Sequence, residues 1–182
     1  DMVAYTAVIN CWARAVSRHE RSIASVRVLR ILGHMERLYI SKQQYSAKPS
    51  QITYATAIAA IGNSLGPEAL YLAEQVLDRM QLLHDSNTIA NLKPVTETYN
   101  AVIHAFSRAG RLQYARRAEQ ILEEMTERAA NGEKDVQPDV RTWSAVLRAW
   151  SRIDHSSAAE NAQRVLKEME RRFQSGVSAV RP

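Results

Sequence analysis

Five histidines, one cysteine and several carboxylates are the residues here whose types could carry chemistry. His19, His34, His84, His104 and His155 are scattered with no metal-ligand spacing, and no glycine-rich phosphate loop or nucleophile motif accompanies them. Glu119, Glu123, Glu124 and Glu127 lie at the spacings of a solvated helix face. The chain is therefore expected to be no enzyme and to use neither a metal nor another cofactor. Cys11 stands where related stretches carry Ala60, Ala105 and Ala149, so it reads as a small buried side chain. A single cysteine argues against a disulfide-built secreted fold.

What recurs is a helix pattern. "AYTAVINCWARAV" from Ala4 returns as "TYATAIAAIGNSL" from Thr53, "TYNAVIHAFSRAG" from Thr98 and "TWSAVLRAWSRID" from Thr142. Its aromatic openers, Tyr5, Tyr54, Tyr99 and Trp143, are 49, 45 and 44 residues apart. A period of this size is the signature of stacked repeats rather than of one closed core. Three and four residues after the opener stand Val8-Ile9, Ala57-Ile58, Val102-Ile103 and Val146-Leu147, and seven after it Trp12, Ile61, Phe106 and Trp150. Offsets 0, 3, 4 and 7 form one apolar stripe of a 3.6-residue helix.

A second helix ends on Met35, Met80, Met125 and Met169. Leu32, Leu77, Leu122 and Leu166 lie three residues before these methionines, and Val28, Ala73, Ala118 and Ala162 seven before. These are packing positions, with alanine permitting close helix approach. Pro67 fits a first helical turn, Ser157 with Glu160 has capping-box spacing, and Gly110 fits a tight reversal. The first copy carries four extra residues around positions 16–19. Polar tails follow the first three methionines and close on Pro49, Pro94 and Pro138, which suit connectors. The expected fold is all-α: an α-solenoid of four helix-turn-helix repeats in a right-handed superhelix, with repeats 1–50, 51–95, 96–139 and 140–182, the last lacking its closing loop.

Composition agrees with a folded chain, with 46% hydrophobic and 24% charged residues and no apolar run long enough to span a bilayer. Opening at Asp1 inside a repeat, the chain reads as an excised piece. The net charge of +5 divides over the four repeats as +5, −2, −2 and +4. Basic ends suit a polyanion, and equally an ordinary solvated surface.

"VTETYNAVIHAFSRAGR", with a second helix ending "LEEM" and a closing "QPDV", resembles a pentatricopeptide repeat; "KPSQITYATAIAAI" and "QPDVRTWSAVLRAWSR" are similar pieces. The resemblance covers essentially residues 1–175. It implies single-stranded RNA as the partner, one nucleotide per repeat, bound in the groove of the first helices. It also implies a mitochondrial or chloroplast setting with a part in RNA processing, stability or translation. The residue after the opener and the residue after the loop proline are implied to read the base: Thr6 with Ser50, Ala55 with Val95, Asn100 with Asp139, and Ser144 alone. Two residues before the opener, Val3, Ile52, Glu97 and Arg141 occupy the position implied to wedge between bases. Nine after it, Arg14, Arg108 and Arg152 take the implied backbone-contacting place, with Asn63 the exception.

The repeats run 44–49 residues against about 35 for the family, the additional length lying in the second helix and the loop after it. Two readings stand for Asn100 and Asp139: base recognition, or a polar residue on an exposed helix face and a helix cap. The arginines divide likewise between phosphate binding and charges favouring a helix C-terminus. The alternative function is a helical scaffold for protein partners, for example within an organellar ribosomal or other ribonucleoprotein assembly, through the convex face or the long loops.

Overall fold

The structure, a computed structural model, describes residues 1–14, 17–64 and 67–174. Among them all regular structure is helical and no strand occurs. Eight α-helices follow in order among the described residues: α1 (Met2–Ala13), α2 (Arg18–Ile40), α3 (Gln51–Gly62), α4 (Pro67–Asp85), α5 (Thr96–Ser107), α6 (Leu112–Ala130), α7 (Val140–Ser151) and α8 (Ala158–Gln174). Two compact units divide within α5, Asp1–Val102 and Ile103–Pro182. In the first, α3 packs on α1, α2 and α4, and α1 on α2. In the second, α7 packs on α6 and α8.

The starts of α3, α5 and α7 are fixed by a threonine directly before the aromatic. Thr53, Thr98 and Thr142 are fully buried, and their Oγ1 atoms accept from the backbone N–H of Ser50 (3.2 Å), Val95 (3.3 Å) and Asp139 (3.0 Å). Ser50 and Asp139 return the favour by accepting from the N–H of Thr53 and Thr142 at 3.2 and 2.9 Å, so each pair satisfies two otherwise orphaned donors. At α2 the capping box is Ser17 with Glu20. The expected box at Ser157 is not used: the Ser157 hydroxyl lies 2.8 Å from His155 Nδ1, a nearer partner across the turn. Position 16 of the expected insertion lies outside the described residues, and Ser17 to His19 start α2.

The stretches after α2, α4 and α6 are polar in sequence yet built alike. Lys42, Asn87 and Gly132, each seven residues past its methionine, have positive φ (58°, 52° and 98°). Their N–H groups donate to Tyr39, His84 and Ala129 carbonyls at 3.0, 2.9 and 3.1 Å, closing the helix end in a left-handed residue. Two residues before each connector proline, Ala47, Leu92 and Val136 are fully buried and pin the loop to the core.

The apolar stripes form the core where a neighbouring helix covers them. Ile9, Tyr54, Ile58, Ile61, Met35 and Met80 are fully buried in the first unit, and Phe106, Val146, Trp150 and Met125 are buried in the second. Burying one such side chain stabilises by about 1.5–3 kcal/mol relative to leaving it in water. Four core expectations need correction. Val8 and Cys11 are exposed and Tyr5 only half-buried against the His34 ring, because no helix of the first unit covers that face of α1. Leu166 on α8 is also exposed, whereas its neighbour Val165 is buried.

Two buried carboxylates tie helices together. Glu36 on α2 accepts from the Tyr54 hydroxyl of α3 and from Arg79 Nε of α4 at 2.8 Å. Burial, then the adjacent Glu36 charge, pushes the Tyr54 phenol well above its ordinary pKa. In the second unit Glu119 on α6 accepts from the Trp150 indole N–H of α7 at 3.0 Å and pairs with Arg164 of α8 at 2.7 Å. Glu119 is thus buried rather than on the solvated face expected for it, because partners 31 and 45 residues away supply its hydrogen bonds; Glu123, Glu124 and Glu127 are exposed as expected.

Candidate nucleic-acid interface

α1 and α3 lie side by side in the same direction. Their starts meet where Thr6 Oγ1 and Thr53 Oγ1 stand 3.0 Å apart, and their ends where Asn63 Nδ2 donates to the Ala13 carbonyl at 3.0 Å. Each helix therefore shows the same outer stripe at the same height. It runs Val3, Thr6, Asn10, Arg14 on α1 and Ile52, Ala55, Ala59, Asn63 on α3. These are steps of three and four residues, one face of a helix.

Val3 and Ile52 are 69% and 72% exposed, Ile52 being the most exposed large hydrophobic residue described. No described residue of the first unit covers either. Thr6 and Ala55, one turn on, are half-buried. The Thr6 hydroxyl donates to the Met2 carbonyl at 2.8 Å besides meeting Thr53, so its polar capacity is largely used within the protein. Ser50 is similarly committed as the cap of α3, and Val95 is half-buried just ahead of α5.

Asn100 is only 6% exposed, which corrects the expectation of a polar side chain on an open face. Its position on α5 lies one residue from the buried Tyr99 and two from the buried Val102, so it shares the margin of the packed stripe. Glu97, one turn earlier, is exposed.

In the second unit the Asp139 carboxylate is a cap, accepting from Thr142 N–H and Oγ1 at 2.9 and 3.0 Å, and it also accepts from Arg141 Nε at 3.2 Å. The capping reading of Asp139 is therefore observed. The outer stripe of α7 is Arg141, Ser144, Arg148 and Arg152, all exposed. His104 and Arg108 follow at the end of α5, and the turn after them approaches the end of α7. A Cβ on Gly110, whose φ is +61°, would sit 3.8 Å from the Arg152 carbonyl oxygen.

Arg14 and Arg152 are the C-caps of α1 and α7, Asn63 is that of α3, and Arg108 follows the last residue of α5. A cation there is favoured by the helix dipole whatever else it does. Arg148, to which the resemblance assigns no role, stands one turn after Ser144 in the same exposed stripe.

Partial burial, then the charges of Arg148, Arg108 and Arg141, holds His104 below the ordinary histidine pKa, with Asp139 opposing. Desolvation and Arg152 likewise pull Arg108 down. Among the described residues no group of three or more histidine, cysteine, aspartate or glutamate side chains is placed to hold a metal ion, and no helix is long and apolar enough to cross a membrane. No family model matches the chain, and no curated protein matches it.

Proposed function

We propose that the chain binds single-stranded RNA along the outer stripes of α1, α3, α5 and α7, as a pentatricopeptide-like α-solenoid whose four helix-turn-helix repeats stack in a right-handed superhelix. The observation that carries this reading is the exposure of Val3 and Ile52 at one register on neighbouring parallel helices. Solvent-exposed aliphatic groups in matched positions cost solubility and contribute no packing, and an unpaired base has two apolar faces to lay against them. RNA-processing, stability or translation factors of mitochondria or chloroplasts are the setting the resemblance suggests, with no catalysis by this segment and no cofactor. On this reading the pyrimidine preference assigned to Asn100 and Asp139 is weak, since Asn100 is buried and Asp139 caps α7.

The test is fluorescence anisotropy with labelled 12-nucleotide RNAs at low salt. Single strands bind and a duplex of the same sequence does not, and Ile52→Ser with Val3→Ser weakens binding several-fold while leaving thermal unfolding unchanged. Equal binding of duplex and single strand, or an unaffected double variant, sinks the reading.

A second reading, docking of protein partners, is favoured by one observation in the second unit. A groove of about 760 Å³ is lined by α6 and α8, with the nearly buried Leu122, Trp143 and Val165 at its base between Glu123, Glu127, Lys167 and Arg171. Apolar floor with charged walls of both signs suits an amphipathic helix.

A further inference from the structure

The four outer stripes are not equivalent. Position by position they read Val-Thr-Asn-Arg on α1, Ile-Ala-Ala-Asn on α3, Glu-Asn-His-Arg at α5 and Arg-Ser-Arg-Arg on α7. Only the last carries three arginines on one face, and all three are exposed. Resting on the RNA-binding reading, we propose that Arg141, Arg148 and Arg152 of α7, with His104 and Arg108 facing them, form a phosphodiester-binding site that anchors the strand to the second unit.

Distance along the helix decides which arginine serves. At 1.5 Å per residue, Arg152 lies about 16 Å along α7 from the wedge position Arg141, whereas Arg148 lies about 6 Å from Ser144 and about 10 Å from Arg141. A nucleotide whose base rests at Ser144 thus has its phosphate within reach of Arg148 first. Arg152 reaches the next phosphate. Neither Arg148 nor Arg152 makes an ion pair among the described residues, and Asp139, at the cap beside the stripe, accepts from Thr142 and Arg141. Arg148 and Arg152 therefore bring like charge close to Arg141 and Arg108, an arrangement that an incoming phosphate relieves.

His104 supplies a proton-linked contribution. The groups facing it are Arg108 from its own helix end, Arg141 and Arg148 from α7, and Asp139 at the cap of α7. In the free protein partial burial, and then these arginines, disfavour the imidazolium. A phosphate placed among them offsets the arginine charge, so its binding raises the His104 pKa and takes up a proton. Affinity must then rise as pH falls.

The test is anisotropy titration of labelled 12-nucleotide oligouridylate, and of inorganic polyphosphate by displacement, at several salt concentrations. Arg148→Ala should weaken binding about three- to five-fold and Arg141→Ala/Arg148→Ala at least ten-fold. The log–log salt slope should fall by about 0.7 for each phosphate contact removed. The exposed arginines Arg27 of α2 and Arg116 of α6, changed to alanine, should leave affinity within two-fold. Between pH 7.5 and 5.5 the wild type should gain affinity, and His104→Gln should lose that gain while circular dichroism stays unchanged.

If oligouridylate binds but Arg148→Ala behaves like the controls, the anchor is overturned and RNA binding stands. If oligouridylate fails while polyphosphate binds through Arg148, the RNA reading falls and the anion site stands. If neither polyanion binds, both fall.

Discussion

Removing Arg79 should cost more stability than removing its partner, and removing both should cost less than removing Arg79 alone. Glu36 is 1% exposed, whereas Arg79 is 56% exposed. In Arg79→Leu the carboxylate remains in the core with only the Tyr54 hydroxyl, having lost Nε bonds of 3.0 and 2.8 Å and the Nη2 contact. Breaking a buried pair typically costs about 3–5 kcal/mol, and access of water from the Arg79 side reduces that to about 2–3 here. Glu36→Leu frees Arg79 to turn to solvent and strands only the buried Tyr54 donor, for about 1–2 kcal/mol. In the double variant the unpaired carboxylate is gone, so adding Glu36→Leu to Arg79→Leu restores about 1 kcal/mol or more. Urea unfolding followed by circular dichroism, closed as a double-mutant cycle, measures all three. Additive losses, or an Arg79→Leu loss below about 0.5 kcal/mol, would refute the argument that the clamp is a desolvated charge in need of its partner.

Other consequences are open to similar measurement. Thr98→Val and Thr142→Val each remove the acceptor of a cap and should lower stability by about 0.5–2 kcal/mol, read in the same unfolding assay. Lys42→Gly should stabilise by up to about 1 kcal/mol, because its φ of 58° strains a side-chain-bearing residue; a loss instead would show that the lysine stem contributes packing. Burial holds the Glu119 pKa above the carboxylate value of 4.5, outweighing Arg164 and Trp150. The folded state therefore holds that proton more tightly than the unfolded chain does. Stability from this group rises as pH falls through the window between the raised pKa and 4.5, and Glu119→Gln should flatten that part of the stability–pH curve.

The helices and their inner stripes were legible because each depends on spacing within one turn or two. Tyr54 with Ala57, Ile58 and Ile61, or Leu77 with Met80, needs nothing beyond a 3.6-residue period. The missed features depend on partners far along the chain. Glu119 reads as one more exposed acid until Trp150 and Arg164 are folded against it. Val8 and Cys11 match buried residues of the other copies in type, but burial requires a covering helix, which periodicity does not record. The threonine before the aromatic was a local signal and could have been read: three of four copies carry it, and a buried hydroxyl at N3 has a backbone N–H as its natural partner.

The caps bear on how any RNA would be recognised. Ser50 and Asp139 occupy a register that the family resemblance assigns to base reading, yet each already accepts a backbone hydrogen bond worth about 0.5–2 kcal/mol to its helix. A base edge that draws either side chain away forfeits that amount, against the roughly 1–3 kcal/mol that a well-placed bidentate contact provides. Thr6 is engaged at Met2 and Thr53, and Asn100 is buried, so the polar groups in reading positions are largely committed before a nucleotide arrives. The exposed stripe offers instead two aliphatic surfaces at Val3 and Ile52 and three arginines on α7, neither of which distinguishes one base from another. Affinity should therefore follow salt steeply and sequence weakly. Across 12-nucleotide homopolymers of U, C and A at fixed salt, the spread in Kd should stay within about ten-fold, while raising salt from 50 to 200 mM should weaken all of them together. A preference beyond a hundred-fold for one base would mean that the caps yield to the ligand, and that the starts of these helices are rebuilt on binding.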